Sequence, residues 1–394
     1  ATATTSHITD SGTLTITGES TFITRATGSN IELDTSDNAF ADAVTMKAET
    51  DGSEAFGNIT FVDSGAVDFD SSGSSDGDLN INASSTNGAV GGNLSITATD
   101  HITQNIALDI GGTTTLATGS SKNITLDNTS NDFQDAVKII TGSSSGGNNI
   151  TLVDAGDIDL GASIVSGTYH VTAISGDITD SGNLTIAGES TFITRADGSD
   201  IELGSSGNAF ADGVTMQAET DGSEAFGNIT FVDSGAVNFN SSGSTDGDLF
   251  IDGSTDGAVG GNLSITATIG DITQGIALAV TGTSSLVTSG QGATIDLTTT
   301  TNAFTGELLI TTNDNNTPAD GTYAAHASID GGITNLIIGA STIDGNLTLL
   351  SGGTITDTAS STVTVKGDLN VTTDANNSNI TLDGLEVGGA YILD

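Results

Sequence analysis

The chain contains no cysteine and no tryptophan, a single proline (Pro318), and only six lysine and arginine residues among 394. Without cysteine it cannot form disulfides, a cysteine-ligated zinc site or a thiol nucleophile. Against the six basic residues stand 50 aspartates and glutamates, which give a formal net charge of −44. Nucleic acid is therefore excluded as a partner, because its phosphates need basic contacts.

Long apolar runs are also missing. No stretch approaches the roughly 20 residues that a membrane-spanning helix needs, so we expect no membrane insertion. The opening ATATTSHITD has no charged-then-apolar leader, so we expect any targeting signal to be removed or to lie outside this segment. What fills the chain is 53 glycines with Ser, Thr, Asn and Asp between short apolar runs, a composition that favours strands and turns.

The sequence repeats itself over a long distance. AETDGSEAFGNITFVDSGAV occupies 48–67 and returns unchanged at 218–237. Residues 8–33 match residues 178–203 with four differences, which defines a repeat of about 170 residues. Duplication of this kind is typical of solenoids, in which each coil contacts only its neighbours.

A shorter period lies inside the long one. The aromatic of an N-x-F motif recurs after 93, 77 and 94 residues, at Phe40, Phe133, Phe210 and Phe304. The tetrapeptides HITD, HITQ, DITD and DITQ recur with almost the same spacings. Both series indicate a unit of about 19 residues.

Apolar residues alternate within each unit, as in NLTI, NITF, VTM and LSITA, which predicts strands with one buried face. One unit cannot enclose a core, but stacked units can. We therefore predict an all-β parallel β-solenoid of about 20 coils of about 19 residues, on the order of 100 Å long. It forms one domain over 1–394 with no globular second domain. The long repeats lie at about 7–176 and 177–346, and the final coils at 347–394.

Two ladders are predicted along the stacked coils. The N-x-F phenylalanines point inward and stack as aromatics along the axis. Asparagines that open strands form hydrogen-bonded amide ladders from coil to coil. These asparagines also lie in N-x-S/T sequons, so glycosylation is the competing interpretation. They are Asn58, Asn93, Asn149, Asn183, Asn228, Asn262 and Asn346.

An enzymatic function is one hypothesis, because carboxylates are dense in VDSGAVDFDSSGSSDGD. Paired acids there would serve as general acid and base. The second copy, however, carries Asn238 and Asn240 in place of Asp68 and Asp70. The four histidines form no metal-binding or Ser-His-Asp spacing, and no phosphate-binding loop is present. We predict that the chain is not an enzyme and has no catalytic residues.

Calcium is the one cofactor that the sequence suggests, because Asp- and Asn-rich loops offer the oxygen ligands of a hard cation. The strict calcium-binding loop motifs are absent, and diffuse counter-ion binding is the alternative. The candidate ligands are Asp76, Asp78, Asp246 and Asp248 in two DGD segments, and Asp314, Asn316 and Asp320 in TNDNNTPADG.

The recurring pattern GDITDSGNLTI, GESTF, N-x-F, NITFVDSGAV, GNLSITA and DITQ resembles the filamentous-haemagglutinin-like repeats of giant bacterial adhesins. The resemblance covers most of the chain. It implies a right-handed parallel β-helix that is secreted to a bacterial cell surface. It also implies an adhesive role, with host or surface glycans as partners.

Three functional classes follow from these patterns. The first is a non-catalytic structural and adhesive segment of an extracellular rod or fibre. The second is a self-assembling, calcium-dependent filament or a matrix or surface-layer subunit. The third is a polysaccharide-binding or polysaccharide-cleaving β-helix. Because the chain opens partway through a unit and finishes strand-like, we expect its ends to contact adjoining repeats or a second copy.

Overall fold

The computed structural model describes residues 1–48, 57–71, 75–83, 86–142, 147–218, 227–253, 255–314, 324–374 and 378–394. Within these ranges the regular structure is entirely β-strand, and no helix occurs. Accordingly, the described part of the chain holds no helix long and apolar enough to cross a membrane. The residues form two compact units, Ala1–Gly188 and Glu189–Asp394.

The first unit contains 25 of the strands, and most are two to five residues long. They are β1 (Thr2–Ala3), β2 (Ile8–Thr9), β3 (Thr15–Ile16), β4 (Ser20–Thr24), β5 (Ile31–Leu33), β6 (Ala39–Phe40), β7 (Val44–Ala48), β8 (Ile59–Asp63), β9 (Val67–Phe69), β10 (Asp78–Ala83), β11 (Thr86–Asn87), β12 (Ala89–Val90), β13 (Leu94–Ala98), β14 (Ile102–Gln104), β15 (Asp109–Ile110), β16 (Thr114–Thr118), β17 (Ile124–Leu126), β18 (Asp132–Phe133), β19 (Val137–Thr141), β20 (Ile150–Asp154), β21 (Ile158–Leu160), β22 (Ser163–Val165), β23 (Tyr169–Ala173), β24 (Ile178–Asp180) and β25 (Leu184–Ile186).

The second unit contains the other 25. They are β26 (Ser190–Thr194), β27 (Ile201–Leu203), β28 (Ala209–Phe210), β29 (Val214–Ala218), β30 (Ile229–Asp233), β31 (Val237–Phe239), β32 (Asp248–Ile251), β33 (Ala258–Val259), β34 (Leu263–Ala267), β35 (Ile272–Gln274), β36 (Ala279–Val280), β37 (Ser284–Gln291), β38 (Ile295–Leu297), β39 (Ala303–Phe304), β40 (Glu307–Asn313), β41 (Ala327–Asp330), β42 (Leu336–Ile338), β43 (Ser341–Ile343), β44 (Leu347–Ser351), β45 (Ile355–Asp357), β46 (Val363–Val365), β47 (Leu369–Thr373), β48 (Ile380–Thr381), β49 (Leu385–Val387) and β50 (Tyr391–Leu393).

Each unit is a parallel β-solenoid, which confirms the predicted fold class. In the first unit, one sheet runs β1, β4, β7, β10, β9, β14, β17, β20, β23, and a second contains β2, β5, β8, β13, β16 and β19. In the second unit, one sheet runs β26, β29, β32, β31, β35, β38, β41, β44, β47, β50, and a second contains β27, β30, β34, β37 and β40.

The coils are longer and fewer than the sequence predicted, about 15 turns of about 23 residues. Their lengths also vary. Ile150 pairs with Tyr169, 19 residues later, whereas Ile59 pairs with Leu94, 35 residues later. Paired strands stay in register, and the extra residues of the longer coils lie in the corners between the strands. Dividing the spacing between two motifs into equal units therefore does not give the coil length.

Register keeps the apolar side chains of most strands inside, whereas those of the last strand, β50, are exposed. Along β4 and β7, Phe22 pairs with Met46 and both are buried, whereas the outward pair Thr21 and Thr45 is not. The same alternation continues where Leu94 of β13 pairs with Thr114 of β16. Each coil therefore buries its apolar side chains against those above and below, at roughly 1.5–3 kcal/mol for each large side chain.

The N-x-F phenylalanines Phe40, Phe133, Phe210 and Phe304 are all buried. Their neighbours along the axis are aliphatic where the register is described: Phe40 pairs with Ile16, Phe133 with Ile110 and Phe304 with Val280. Two of the four contact another phenylalanine of a different strand, with the ring of Phe40 5.1 Å from that of Phe61 and the ring of Phe210 5.2 Å from that of Phe231. The predicted axial stack of these aromatics is not formed, because the motif recurs only after several coils.

Each unit contains one strand inserted out of chain order. β10 pairs with β7 on one side and with β9 on the other, and β32 lies in the same way between β29 and β31. The insertion accounts for the longest coils. After the inserted strand β10 the chain passes through Gly88, which has a φ of +84°. A Cβ there would lie 2.0 Å from the Ala107 carbonyl oxygen, so the position accepts only glycine.

Candidate functional site

Rows of side-chain acceptors run along the corners that immediately precede the strands of both main sheets. Asn58 donates its backbone N–H to Asn30 Oδ1 at 2.9 Å, Asn93 donates to Asn58 Oδ1 at 2.8 Å, and Thr113 donates to Asn93 Oδ1 at 3.0 Å. Each side chain thus accepts the backbone N–H of the next coil. We call this set of residues the corner acceptor row.

The row recurs in both units. Its members with a described bond are His7, Asn30, Asn58, Asn93, His101, Asn123, Asn149, Asp157, Asp200, Asn228, Asn262, Asp271, His326, Asn335, Asn346 and Asp368. Six of the predicted asparagines therefore connect coils through a side-chain oxygen that accepts a backbone N–H, a different bond from the predicted amide-to-amide ladder. Asn183 is exposed, and its backbone carbonyl accepts the N–H of Ser163.

Hydrogen-bonding chemistry explains which residue types occur in the corner acceptor row. His101 Nδ1 accepts the N–H of Asn123 at 2.9 Å, and Asp271 Oδ1 accepts the N–H of Thr294 at 2.6 Å. In Asn, Asp and His the acceptor atom is two bonds from Cβ, so the three residues present it at the same reach. The exchange of histidine for aspartate between copies therefore keeps the bond.

The same geometry accounts for the sequons. A corner residue is followed by an inward position that takes Ile or Leu, and then by an outward strand position, where Thr or Ser is favourable. Asn93, Leu94 and Ser95 are an example, with only Leu94 buried. N-x-S/T thus arises at corners from the fold itself.

A second set of polar residues, buried asparagines, was not singled out from the sequence. Asn131 of the N-x-F motif is fully buried, and its Oδ1 accepts the Leu108 N–H at 2.9 Å. Its Nδ2 donates to Gln104 Oε1 at 2.9 Å and to the Val153 carbonyl at 3.0 Å. One amide thereby joins three successive coils. Asn302 bonds in the same way to Leu278, Gln274 and Asp330.

The signal for these asparagines was present in the sequence. Asn38, Asn131, Asn208 and Asn302 are as invariant among the four motifs as the phenylalanine two residues later. All four are buried. A polar residue held at a fixed distance from a core aromatic indicates a buried polar group with dedicated partners.

Buried aspartates complete the N-x-F corner. Asp63 Oδ1 and Asp233 Oδ1 accept the N–H of Phe40 and of Phe210, each at 3.1 Å, and Asp154 Oδ2 accepts the N–H of Phe133 at 2.8 Å. These side chains are almost fully buried.

The surroundings of these three aspartates raise their pKa values. Burial raises the pKa of Asp63 and of Asp233, despite the backbone N–H groups that each carboxylate accepts, and the charges of Asp76 and Asp246 add to the rise. Burial raises the pKa of Asp154 to about 6. The corner therefore retains protons at a pH where an exposed aspartate has lost them.

The predicted calcium ligands of the DGD segments lie in the turn before the inserted strand. Asp76 and Asp246 are exposed. Asp78 Oδ2 accepts the Ser75 N–H at 2.8 Å, which closes its own turn. Burial alone would raise the pKa of Asp248, but hydrogen bonds from Thr245, Asn238 and Asn240 lower it.

The two copies differ where the inserted strand meets its neighbour. Asp68 lies directly opposite Asp78 across parallel strands, and burial together with the charges of Asp78 and Asp70 raises the pKa of Asp68. The Asn105 amide donates to Asp68 Oδ2 at 2.6 Å and to Asp70 Oδ2 at 3.2 Å.

In the second unit the corresponding pair is Asn238 and Asp248, joined by a hydrogen bond of 2.9 Å. Gly275 stands where the first unit has Asn105. The extra amide is present only where the extra carboxylates are, so Asn105 compensates for their charge.

The remaining calcium candidates are Asp314, Asn316 and Asp320. Asp314 is buried, accepts the Ala324 N–H at 3.1 Å and donates its own N–H to Asp344 Oδ2 at 2.9 Å. Asp344 is paired with Lys366 at 2.7 Å. Asn316 and Asp320 lie outside the described residues.

Within the described ranges, no three His, Cys, Asp or Glu side chains converge in a way that could hold a metal ion. An open depression of about 250 Å³ in the first unit is lined by Asp132, Phe133, Gln134, Asp135, Asp157, Asp159 and Thr179. Its walls carry carboxylates without a basic side chain.

A model of the family described as repeats of unknown function (DUF5649) matches residues 1–47, 82–140, 147–217, 226–311 and 324–390. These segments make up well over half of the chain. No curated protein and no solved structure matches it.

Replacing Asn262 tests the role of the corner acceptor row in stability. Asn262→Ala removes the acceptor of the Thr283 N–H, 2.8 Å away, and should lower the free energy of unfolding by about 1 kcal/mol. Asn262→Asp keeps an acceptor and should change it by less than about 0.5 kcal/mol. Urea denaturation followed by circular dichroism measures both, and equal losses would contradict the assignment.

The first unit has Asp68 where the second has Asn238, and this difference gives a second prediction. Asp68→Asn should stabilise the chain at pH 7 by about 0.5–1 kcal/mol, because it removes a carboxylate opposite Asp78. Asn238→Asp introduces that carboxylate in the second unit and should destabilise by a similar amount. Denaturation midpoints that move in the same direction for both variants would refute the explanation.

Asp154 gives a third prediction, from pH dependence. Its pKa is about 6 in the folded chain against an ordinary 3.8, so the folded state binds the extra proton, and stability is lost as pH rises from about 4 to about 6. Asp154→Asn removes this titration. The unfolding free energy of the variant, relative to the unmodified chain, should therefore rise by up to about 3 kcal/mol between pH 4 and pH 7.

The matched control is Asp127→Asn, which removes an exposed carboxylate, and the pH dependence of the two variants is compared. A pH-independent difference for Asp154→Asn would show that burial does not shift this carboxyl group.

Proposed function

The chain belongs to the family of repeats of unknown function (DUF5649), and from this premise we propose that it is a non-catalytic structural and adhesive segment of an extracellular rod or fibre. The observation that carries the proposal is the use of its polar side chains. Residues that serve as catalytic groups elsewhere are here bonded from one coil to the next, as with Asn131 and His101.

The outward strand positions support an adhesive surface. They carry small polar side chains in register, such as Thr21 beside Thr45 and Ser264 beside Ser285. A flat face with hydroxyl groups at the interstrand spacing suits repeated weak contacts with sugar hydroxyls. We propose host or surface glycans as the partners, at a bacterial cell surface, in line with the resemblance to haemagglutinin-like adhesins.

The net charge of −44 is consistent with this setting. A surface of one sign keeps such chains apart and soluble, and it weakens binding to other polyanions. Contacts with neutral glycans or with cation-bridged surfaces remain favourable.

A second candidate, a calcium-dependent filament or matrix subunit, is favoured by one observation. Asp68, Asp70 and Asp78 bring three carboxylates to one place in the first unit, and only the Asn105 amide is described there as a donor to more than one of them. Divalent cations that screen this repulsion would stabilise the coil.

Bead adhesion tests the first candidate. Because the chain lacks cysteine, one cysteine added at a terminus couples every molecule to a bead in the same orientation. We expect beads carrying the folded chain to be retained on glycan-coated surfaces at least tenfold more than beads carrying polyaspartate of matched charge. Heat-unfolded chain on the same beads should lose the excess. Retention equal to that of polyaspartate would overturn the adhesive role.

Electron microscopy and sedimentation separate the second candidate from the first. Particles are compared in chelator, in millimolar magnesium and in millimolar calcium. Fibres that form only in calcium would replace the first proposal with the second. The same isolated particles in all three conditions would exclude calcium-driven assembly.

A further inference from the structure

Three of the four histidines belong to the corner acceptor row. The Nδ1 atoms of His7, His101 and His326 accept backbone N–H groups of the next coil, from Asn30 at 2.9 Å, Asn123 at 2.9 Å and Asn346 at 2.8 Å. His170 lies elsewhere, on β23.

An imidazole accepts a hydrogen bond at Nδ1 only while that nitrogen carries no proton. The three observed hydrogen bonds therefore each require an Nδ1 without a proton. Protonation places an N–H at Nδ1, directly against the backbone N–H that it had accepted. An asparagine at the same corner keeps its acceptor at every pH, so the two residues are equivalent in neutral solution and differ in acid.

The charged groups around His101 are described. Its Nε2 lies 3.5 Å from Asp100 Oδ1, and Lys122 from the following coil reaches the same oxygen at 2.7 Å. The hydrogen bond from Lys122 lowers the pKa of Asp100. Asp100 therefore remains an anion that attracts a protonated ring, while Lys122 competes for the same oxygen. Asp100 thus faces the Nε2 edge of the ring while the Asn123 N–H occupies the Nδ1 edge.

Of the other two rings, that of His326 lies in a tighter corner and that of His7 in a more open one. His326 is half-buried, and a Cβ added at Gly345 would come within 2.6 Å of its Nδ1, so little space exists for the ring to move away. His7 is exposed. We therefore expect acid to act most strongly at His101 and His326.

We propose that His7, His101 and His326 are acid-sensitive joints of the solenoid, at which protonation releases the backbone N–H of the next coil and loosens the contact between the two coils. The effect opposes that of the buried aspartates, whose protonation favours the folded chain. It is local, because each coil contacts only its neighbours. It is independent of what the outer faces bind.

The test compares the unmodified chain with the triple variant His7→Asn, His101→Asn, His326→Asn, which places at each corner a residue that the row already uses. Melting temperatures are measured from pH 8 to pH 5. We expect equal values at pH 8 and a melting temperature several degrees higher for the variant at pH 5. His170→Asn is the control and should follow the unmodified chain throughout.

A local readout makes the test specific. Imidazole ¹⁵N shifts report the protonation of each ring, and hydrogen exchange reports the Asn30, Asn123 and Asn346 amides. Protection of these amides should fall about tenfold as the rings protonate, whereas the Asn149 amide, bonded to Asn123 Oδ1, should change less. Unchanged protection on fully protonated rings, or parallel melting curves, would overturn the proposal. If the triple variant does not fold, His101→Asn alone is compared in the same way.

Discussion

Parallel coils can stack only if the backbone N–H groups at their corners find acceptors where the sheets stop. Along the strands the neighbouring coil supplies carbonyl oxygens, as between β13 and β16. At the corners that supply ends, and side chains accept the N–H groups instead, at exposed positions in the corner acceptor row and inside the core at the buried asparagines. The corner acceptor row and the buried asparagines meet this need, and much of the sequence outside the apolar core follows from it.

The corners also explain why the sequence looks degenerate although the fold is regular. Asn30 in one unit is Asp200 in the other, and both accept the backbone N–H of an asparagine one coil later, Asn58 or Asn228. What is preserved is an acceptor at a fixed reach. The copies can therefore diverge in residue type, charge and sequon content while the coils keep their register.

Charge is the second constraint, and the two copies accommodate it differently. A chain with 50 acidic residues must separate its carboxylates or give each one donors. Asp154 is buried beneath the backbone N–H of Phe133, whereas Asp68 faces a second carboxylate and depends on Asn105. In the second unit, asparagine at position 238 and glycine at 275 meet the same constraint without the extra charge.

The sequence by itself determined the fold class, because period-two alternation and long repeats describe strands that need a stacked neighbour. It also indicated that Asn58 and Phe40 belong to recurring positions. Coil length, axial neighbours and the inserted strand were decided only by the tertiary structure. Ile150 pairs with a residue 19 positions away and Ile59 with one 35 positions away, and corners of variable length erase that distance from the local pattern. The buried aspartates show the same limit, since Asp63 and the exposed Asp76 are both aspartates in turn-rich sequence, and only packing places one of them beneath the backbone of Phe40.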